Sequence, residues 1–155
     1  MKRLVYFLGL LAGLMFLGSC TKYSFKSMDK KVVGTWTFEK VKNKPGLLKS
    51  SVDITKNFKN WEYTFDAGGR VTAYNTATNE SEIGRWQMEE YVDVYYDEDG
   101  TTSTTSEYVL RFNLRDSRGE DYYYVWNVGS ITAKRLRASE YFGNERTSYV
   151  LARKN

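Results

Sequence analysis

Between Tyr108 and Arg115 the chain alternates without a slip. Tyr108, Leu110, Phe112 and Leu114 take one side, and Val109, Arg111, Asn113 and Arg115 take the other. Only an extended strand turns its side chains to opposite faces at every residue, so this stretch reads as a half-buried β-strand. The same period of two recurs over most of the chain. It predicts a first strand from Val32 to Val41, then Trp61 to Phe65 and Arg70 to Asn75 joined by the turn Asp66-Ala67-Gly68-Gly69. Further strands are predicted over Glu82 to Met88, Tyr91 to Tyr96, Asp121 to Val128, Ile131 to Ala138 and Arg146 to Arg153. Gly129-Ser130 is read as the turn before Ile131, Asp97 to Ser106 as a solvated loop, and Asn43 to Asn57 as a looser segment forming a short helix or lid after the turn Lys44-Pro45-Gly46.

No segment carries a long helical period, and the 13 Tyr, 8 Phe and 4 Trp against a single Pro suit a strand-rich aromatic interior. The expected fold is all-β, an antiparallel up-and-down meander of about eight or nine strands. Such a meander must hide its edges, and closure into a barrel does so. A two-sheet sandwich hides most of them as well, and periodicity does not separate the two.

Lys2 and Arg3 precede an apolar run from Leu4 to Leu17 that is short for a bilayer span, followed by the small pair Gly18-Ser19 and then Cys20, the one cysteine of the chain. That is the layout of a secretory signal peptide over residues 1–19. An unpaired exposed thiol in an oxidising compartment is a liability, so a lone cysteine at this point calls for a chemical role. Leu17-Gly18-Ser19-Cys20 resembles the lipobox of bacterial lipoproteins. The resemblance implies cleavage between Ser19 and Cys20, a diacylglycerol on the Cys20 sulfur and acylation of the new amino terminus. Two or more acyl chains anchor stably where one does not, so the partner implied is a membrane. Thr21 stands where lipoproteins retained at the inner membrane often carry Asp, and Thr21 to Lys26 holds no acid. The expected location is therefore the outer membrane of a Gram-negative envelope, facing the periplasm.

Removing 19 of 155 residues leaves 136, one ordinary domain. Residues 20–30 are read as a lipidated tether that reaches at most ~35 Å, and 31–155 as the barrel domain. Lys2 and Arg3 take two of the 23 basic residues with them, leaving 21 against 19 acidic, a net of +2 that gives no reason to invoke nucleic acid. Histidine is absent. That removes Ser-His and Cys-His nucleophile systems, imidazole metal sites and any side chain that ordinarily titrates near neutrality. No catalytic residue, metal site or cofactor is expected, and the chain is read as no enzyme.

Gly34-Thr35-Trp36 opens the first predicted strand. A G-x-W element there, followed by a strand meander, resembles the lipocalin-like domains of bacterial lipoproteins, over roughly Val32 to Arg153. The resemblance implies a barrel closed at one end, where Gly34 lets the chain cross and Trp36 plugs it, with Arg153 of the last strand stacked over the indole. Gly84-Arg85-Trp86 is a second G-x-W, and Glu120-Asp121-Tyr122 a partial echo of the Thr-Asp-Tyr element of true lipocalins. It further implies that Trp61, Tyr63, Phe65, Tyr108, Leu110, Phe112, Tyr122, Tyr124 and Trp126 line a cavity for a small hydrophobic ligand. The alternative is a filled barrel, an interaction module whose surface binds an envelope protein, a protease or a glycan.

Other clusters support simpler readings. Glu89, Glu90, Asp93, Asp97, Glu98 and Asp99 suggest calcium, but an EF-hand counted from Asp97 needs Gly at Thr102 and Glu at Tyr108. Lys134, Arg135 and Arg137 offer a basic patch, which on a strand face more often serves solubility. Tyr122-Tyr123-Tyr124 with Trp126 would suit stacking on sugars.

Overall fold

A computed structural model describes residues 28–154. Ser19, Cys20, the signal peptide and most of the tether lie outside the described residues. A five-residue helix, α1 (Met28–Val32), leads into β1 (Gly34–Lys44), the short β2 (Val52–Asp53), a 3-10 turn (Thr55–Asn57), β3 (Trp61–Phe65) and β4 (Arg70–Asn75). The long strands β5 (Ser81–Tyr96) and β6 (Thr102–Arg115) follow, then β7 (Asp121–Ile131), β8 (Arg135–Phe142) and β9 (Glu145–Arg153).

Each strand from β3 onward pairs antiparallel with the next, and β9 returns to β1, so β1 and β3–β9 close an eight-stranded up-and-down barrel. β2 is the one addition, paired with β1 at Lys42↔Asp53 and Asn43↔Val52, beyond the point where β3 leaves that edge. Of barrel and sandwich, the closing register decides: β1 and β9 pair from Trp36↔Arg153 to Lys44↔Arg146. A slip between Phe38 and Lys40 puts Glu39 in a bulge, so the inward series runs Trp36, Phe38, Val41.

The interior is apolar and aromatic, with Trp36, Phe65, Leu110, Leu114, Leu136 and Leu151 fully buried. At ~1.5–3 kcal/mol for each such side chain, this burial is the main term holding the sheet closed.

Several strand limits differ from the sequence reading. β1 runs Gly34–Lys44 where Val32–Val41 was expected, because Val32 ends α1, and the strand expected over Ile131–Ala138 is β8 at Arg135–Phe142, with Ile131 closing β7. Glu82–Met88 and Tyr91–Tyr96 are one strand, because Glu89-Glu90 breaks the apolar pattern but holds nothing that bends a backbone; the β5–β6 register is constant from Ile83↔Arg115 to Tyr96↔Thr102. The solvated loop shrinks to a turn closed by Asp97, whose carboxylate accepts from the Thr101 amide at 2.6 Å, while Thr102–Ser106 joins β6. Gly129 is a bulge inside β7, and the true turn follows at 132–134, where the Thr132 hydroxyl accepts from the Arg135 amide at 2.9 Å. The looser segment holds β2 and the 3-10 turn, whose Thr55 hydroxyl accepts from the Val41 amide at 2.8 Å.

Gly84 lets the long strands approach closely. A Cβ there would stand 1.8 Å from the Asn113 carbonyl oxygen, so β5 and β6 approach each other at this point as only glycine allows. The Asn113 side-chain carbonyl takes the Arg85 amide at 3.0 Å in place of a ladder bond. Gly84→Ala should lower stability by about 2–3 kcal/mol through overpacking. Gly46→Ala, which meets nothing within 4 Å, should leave the urea midpoint unchanged. Equal midpoints for the two variants would show that the close approach does not matter.

Candidate functional site

The nine residues named as cavity lining all sit on the inward face, but they do not stand around an empty space. Phe112 stacks on Tyr124 at 4.8 Å and meets Trp126 edge-on at 5.0 Å, and Trp126 stacks on Tyr149 at 4.6 Å. Tyr63 meets Phe38 at 5.2 Å and Phe65 meets Trp86 at 5.8 Å. Tyr63, Phe65, Leu110, Phe112 and Trp126 are buried in this packing, Trp61, Tyr108 and Tyr124 are half-buried, and Tyr122 is exposed at one end. The sugar-stacking group is split. Trp126 is buried, and Tyr123 points outward between inward Tyr122 and Tyr124.

One end of the barrel is closed. The Arg153 guanidinium lies 4.3 Å over the fully buried Trp36 ring. Its three nitrogens donate to the carbonyls of Val33 at 2.6 Å, Lys31 at 2.6 Å and Ala133 at 2.8 Å, tying α1 and the β7–β8 turn to the last strand. The Trp36 indole donates to Val32 O at 2.7 Å. Gly34, at φ +140°, makes room: a Cβ there would stand 2.1 Å from the guanidinium.

At the opposite end Phe58, just after the 3-10 turn, packs on Phe38 at 5.2 Å and on Tyr149 at 6.1 Å, and a polar cleft opens on the side of β5 and the β6–β7 turn. Tyr63 pairs with Ala73 and Ala73 with Glu82, so Glu82 faces inward although it is charged. Around it lies a cleft of about 450 Å³ lined by Glu80, Glu82, Asp116, Arg118, Tyr122 and Tyr124. Partial burial, helped by the Asp116 and Glu80 carboxylates, raises the Glu82 pKa above the usual carboxylate value. Deeper in, the Tyr149 hydroxyl donates to Glu140 at 2.9 Å, and Asn43 donates to Glu145 and Thr147. Burial pushes Tyr124 up to about 12 and holds Tyr63 and Tyr149 well above the usual tyrosine value, with Tyr124 as the next cause for Tyr63, Glu82 for Tyr124 and Glu140 for Tyr149. Among the described residues, one buried side-chain polar atom, the Trp126 indole N–H, has no hydrogen-bond partner. The sequence reading passed over Glu82 and Glu140. Their signal was an acid in the inward register of a strand, Glu82 in step with Trp86 and Met88, and Glu140 in step with Leu136 and Ala138.

Beyond the closed end, β5 and β6 continue as a two-stranded ribbon. β4 pairs with β5 only up to Arg85, and β7 pairs with β6 only from Tyr108 onward. Val92, Val94, Tyr95 and Tyr96 are exposed on it. The acidic cluster divides along this ribbon. Glu89 is held by Arg111 at 2.8 Å and Tyr91 at 2.6 Å, and Glu90 accepts from Tyr108 at 2.8 Å. Among the described residues no group of three or more acids is placed to hold a metal ion. Of the basic patch, Arg135 is paired with Glu39 at 2.8 Å.

No family model matches the chain, and no curated protein matches it. Among solved structures, a lipocalin-like protein from Bacteroides uniformis ATCC 8492 is similar at 11% identity and a TM-score of 0.37, over 80% of this chain and 99% of that one. The fold rests on the strand pairing of this chain itself. It is a closed up-and-down barrel.

The closed end gives a direct test. Arg153→Ala removes the stack on Trp36 and orphans three carbonyls, and should cost about 3 kcal/mol in urea unfolding. Arg153→Lys cannot serve three carbonyls from one planar fork, and should recover less than half of that. Full recovery by lysine would mean that charge alone matters.

Proposed function

We propose that this chain is a non-catalytic, lipid-anchored binding protein of the Gram-negative envelope, held on the outer membrane with its barrel in the periplasm, and that it takes a small ligand at the open end of the barrel. The ring packing along the axis carries this reading. A guest lodged among Phe65, Phe112 and Trp126 would have to break contacts of 5–6 Å between rings that already satisfy one another, whereas the other end offers a polar cleft of about 450 Å³ walled by Glu80, Glu82, Asp116 and Tyr122. The absence of histidine and the resemblance of Leu17 to Cys20 to a lipobox support the rest. The anchor is tested in cells. Cys20→Ala should move the protein from the membrane pellet to the soluble fraction, and a variant that still sediments with membranes would rule the lipid anchor out.

The exposed ribbon favours a second reading, as an interaction module. Its two edges carry unpaired backbone groups, and Asp93, Asp97, Glu98 and Asp99 crowd its far end. The partner this chemistry fits is a basic protein that adds a strand to the ribbon. Replacing Val92 and Val94 by Lys should abolish cross-linking to a basic envelope partner while leaving the barrel's thermal midpoint in place. Unchanged cross-linking, or cross-links between copies of this chain alone, would overturn it.

A further inference from the structure

The outer wall built by β8, β9 and β1 is basic along its length. Away from the core, β1 presents Lys40, Lys42 and Lys44, β9 presents Arg146, and β8 presents Arg135 and Arg137, in register across Lys40↔Val150, Lys44↔Arg146 and Arg137↔Val150. Of these six, Arg135 alone forms an ion pair among the described residues, with Glu39 at 2.8 Å. A cleft of about 750 Å³ on this wall is lined by Lys134, Arg135, Arg137 and Arg153 against one acid, Glu39.

The wall reflects segregation of charge and not a surplus. Lys2, Arg3, Lys22 and Lys26 apart, the 19 remaining basic side chains are matched by 19 acids. Acids gather across the barrel. β5 stands four strands from β9 in either direction round the ring, and it carries Glu89, Glu90 and Asp93, with Asp97, Glu98 and Asp99 in the turn beyond.

A second, independent feature marks the same three strands. At the end away from the plug, apolar side chains stand in water: Leu47 and Leu48 in the loop after Lys44, and Tyr141 and Phe142 at the β8–β9 turn. Leu48 is 102% exposed and Phe142 85%. Arg146 lies 5.5 Å over the Tyr141 ring. Wetting such groups stabilises nothing within the barrel. Aliphatic and aromatic tips beside a field of Lys and Arg match the headgroup layer of an anionic bilayer, which takes both.

Resting on the reading that Cys20 is acylated, we propose that this wall lies flat on a membrane of anionic phospholipids, with Leu47, Leu48 and Phe142 seated among the headgroups. The reach is sufficient. Cys20 stands eight residues before Met28, at most ~28 Å of chain. The 11 residues of β1 run about 36 Å along the wall at roughly 3.3 Å each. The tether thus holds the closed end down while the apolar tips hold the other. A surface kept within reach by the tether meets the wall at a high effective concentration, an advantage that no freely diffusing acidic partner shares. With charges screened over ~8 Å at physiological salt, the wall orients a barrel already anchored and does not by itself hold one that is not. In this pose β5 and the cleft beside Glu82 are turned away from the lipid.

Spin labels read the pose. Full-length lipoprotein, its Cys20 occupied by lipid, receives one nitroxide at a time through Leu48→Cys, Phe142→Cys or, on the opposite wall, Gln87→Cys. Each is reconstituted into phosphatidylcholine vesicles with or without phosphatidylglycerol. With phosphatidylglycerol, a water-soluble nickel complex should reach the labels at 48 and 142 about five-fold less than the label at 87. Adding Lys40→Glu with Arg137→Glu, or salt at about 1 M where charges are screened beyond about 3 Å, should return both labels to water. The thermal midpoint of the double variant should stay in place. Equal nickel access at all three sites, in protein that still floats with the vesicles, would overturn the docking and leave the anchor standing. Protein that does not float would overturn both. Labels at 48 and 142 already shielded in detergent, by a second copy of the chain, or shielded equally without phosphatidylglycerol, would overturn the anionic membrane as the partner.

Discussion

The pairing of β1 with β9 is the contact on which the structure depends. Without it the meander is an open sheet with two long edges and an apolar face that no helix covers. With it, Trp36 and Arg153 become register partners, and the residues that begin and end the sheet form one plug. The plug then orders what lies around it. The guanidinium reaches back to the carbonyls of Lys31 and Val33 and across to Ala133, so the helix before the first strand and the turn before β8 are fixed by the final residue of the last strand. Non-local closure of this kind is expected to be the late step in folding, since every other strand pair except β1–β3, which steps over the short β2, joins neighbours in sequence.

Two glycines let backbone and side chain occupy the same corner. Gly34 clears space for the guanidinium, and Gly84 clears space for the Asn113 backbone. Both begin a G-x-W, and both tryptophans donate to a carbonyl of a preceding segment, Trp36 to Val32 and Trp86 to Asp66. The second motif does for the wall what the first does for the floor.

Much of this was legible because a strand with one wet face writes its geometry into the residue pattern. β3 and β4 were bounded to the residue, and β6 and β7 carried their inward faces openly in Leu110, Phe112, Tyr124 and Trp126. The pattern failed where burial fails. On the ribbon both faces meet water, so Thr102–Ser106 carried no alternation and was read as loop. Gly129 was read as a turn because a bulge and a turn use the same residue, and only the pairing of Val128 and Ser130 with β8 separates them. The mouth was harder still. Glu82 is one acid among 19, and it becomes a site residue only once strand parity turns it inward.

A filled axis changes what the two ends of a barrel can do. In a hollow barrel the ends are a door and a floor, and specificity lies between them. Here the rings of Phe38, Tyr63, Phe112, Trp126 and Tyr149 make the middle a rigid post. Rigidity there holds the mouth in shape: Phe112 stacks on Tyr124 from below, and Tyr149 carries the hydrogen bond that holds Glu140. The apolar core thus acts on function indirectly, by fixing the angle at which a few polar groups face an open cleft. The closed end receives the chain from its amino-terminal side at Met28, so a ligand taken at the other end, as proposed, would leave α1 and the plug undisturbed.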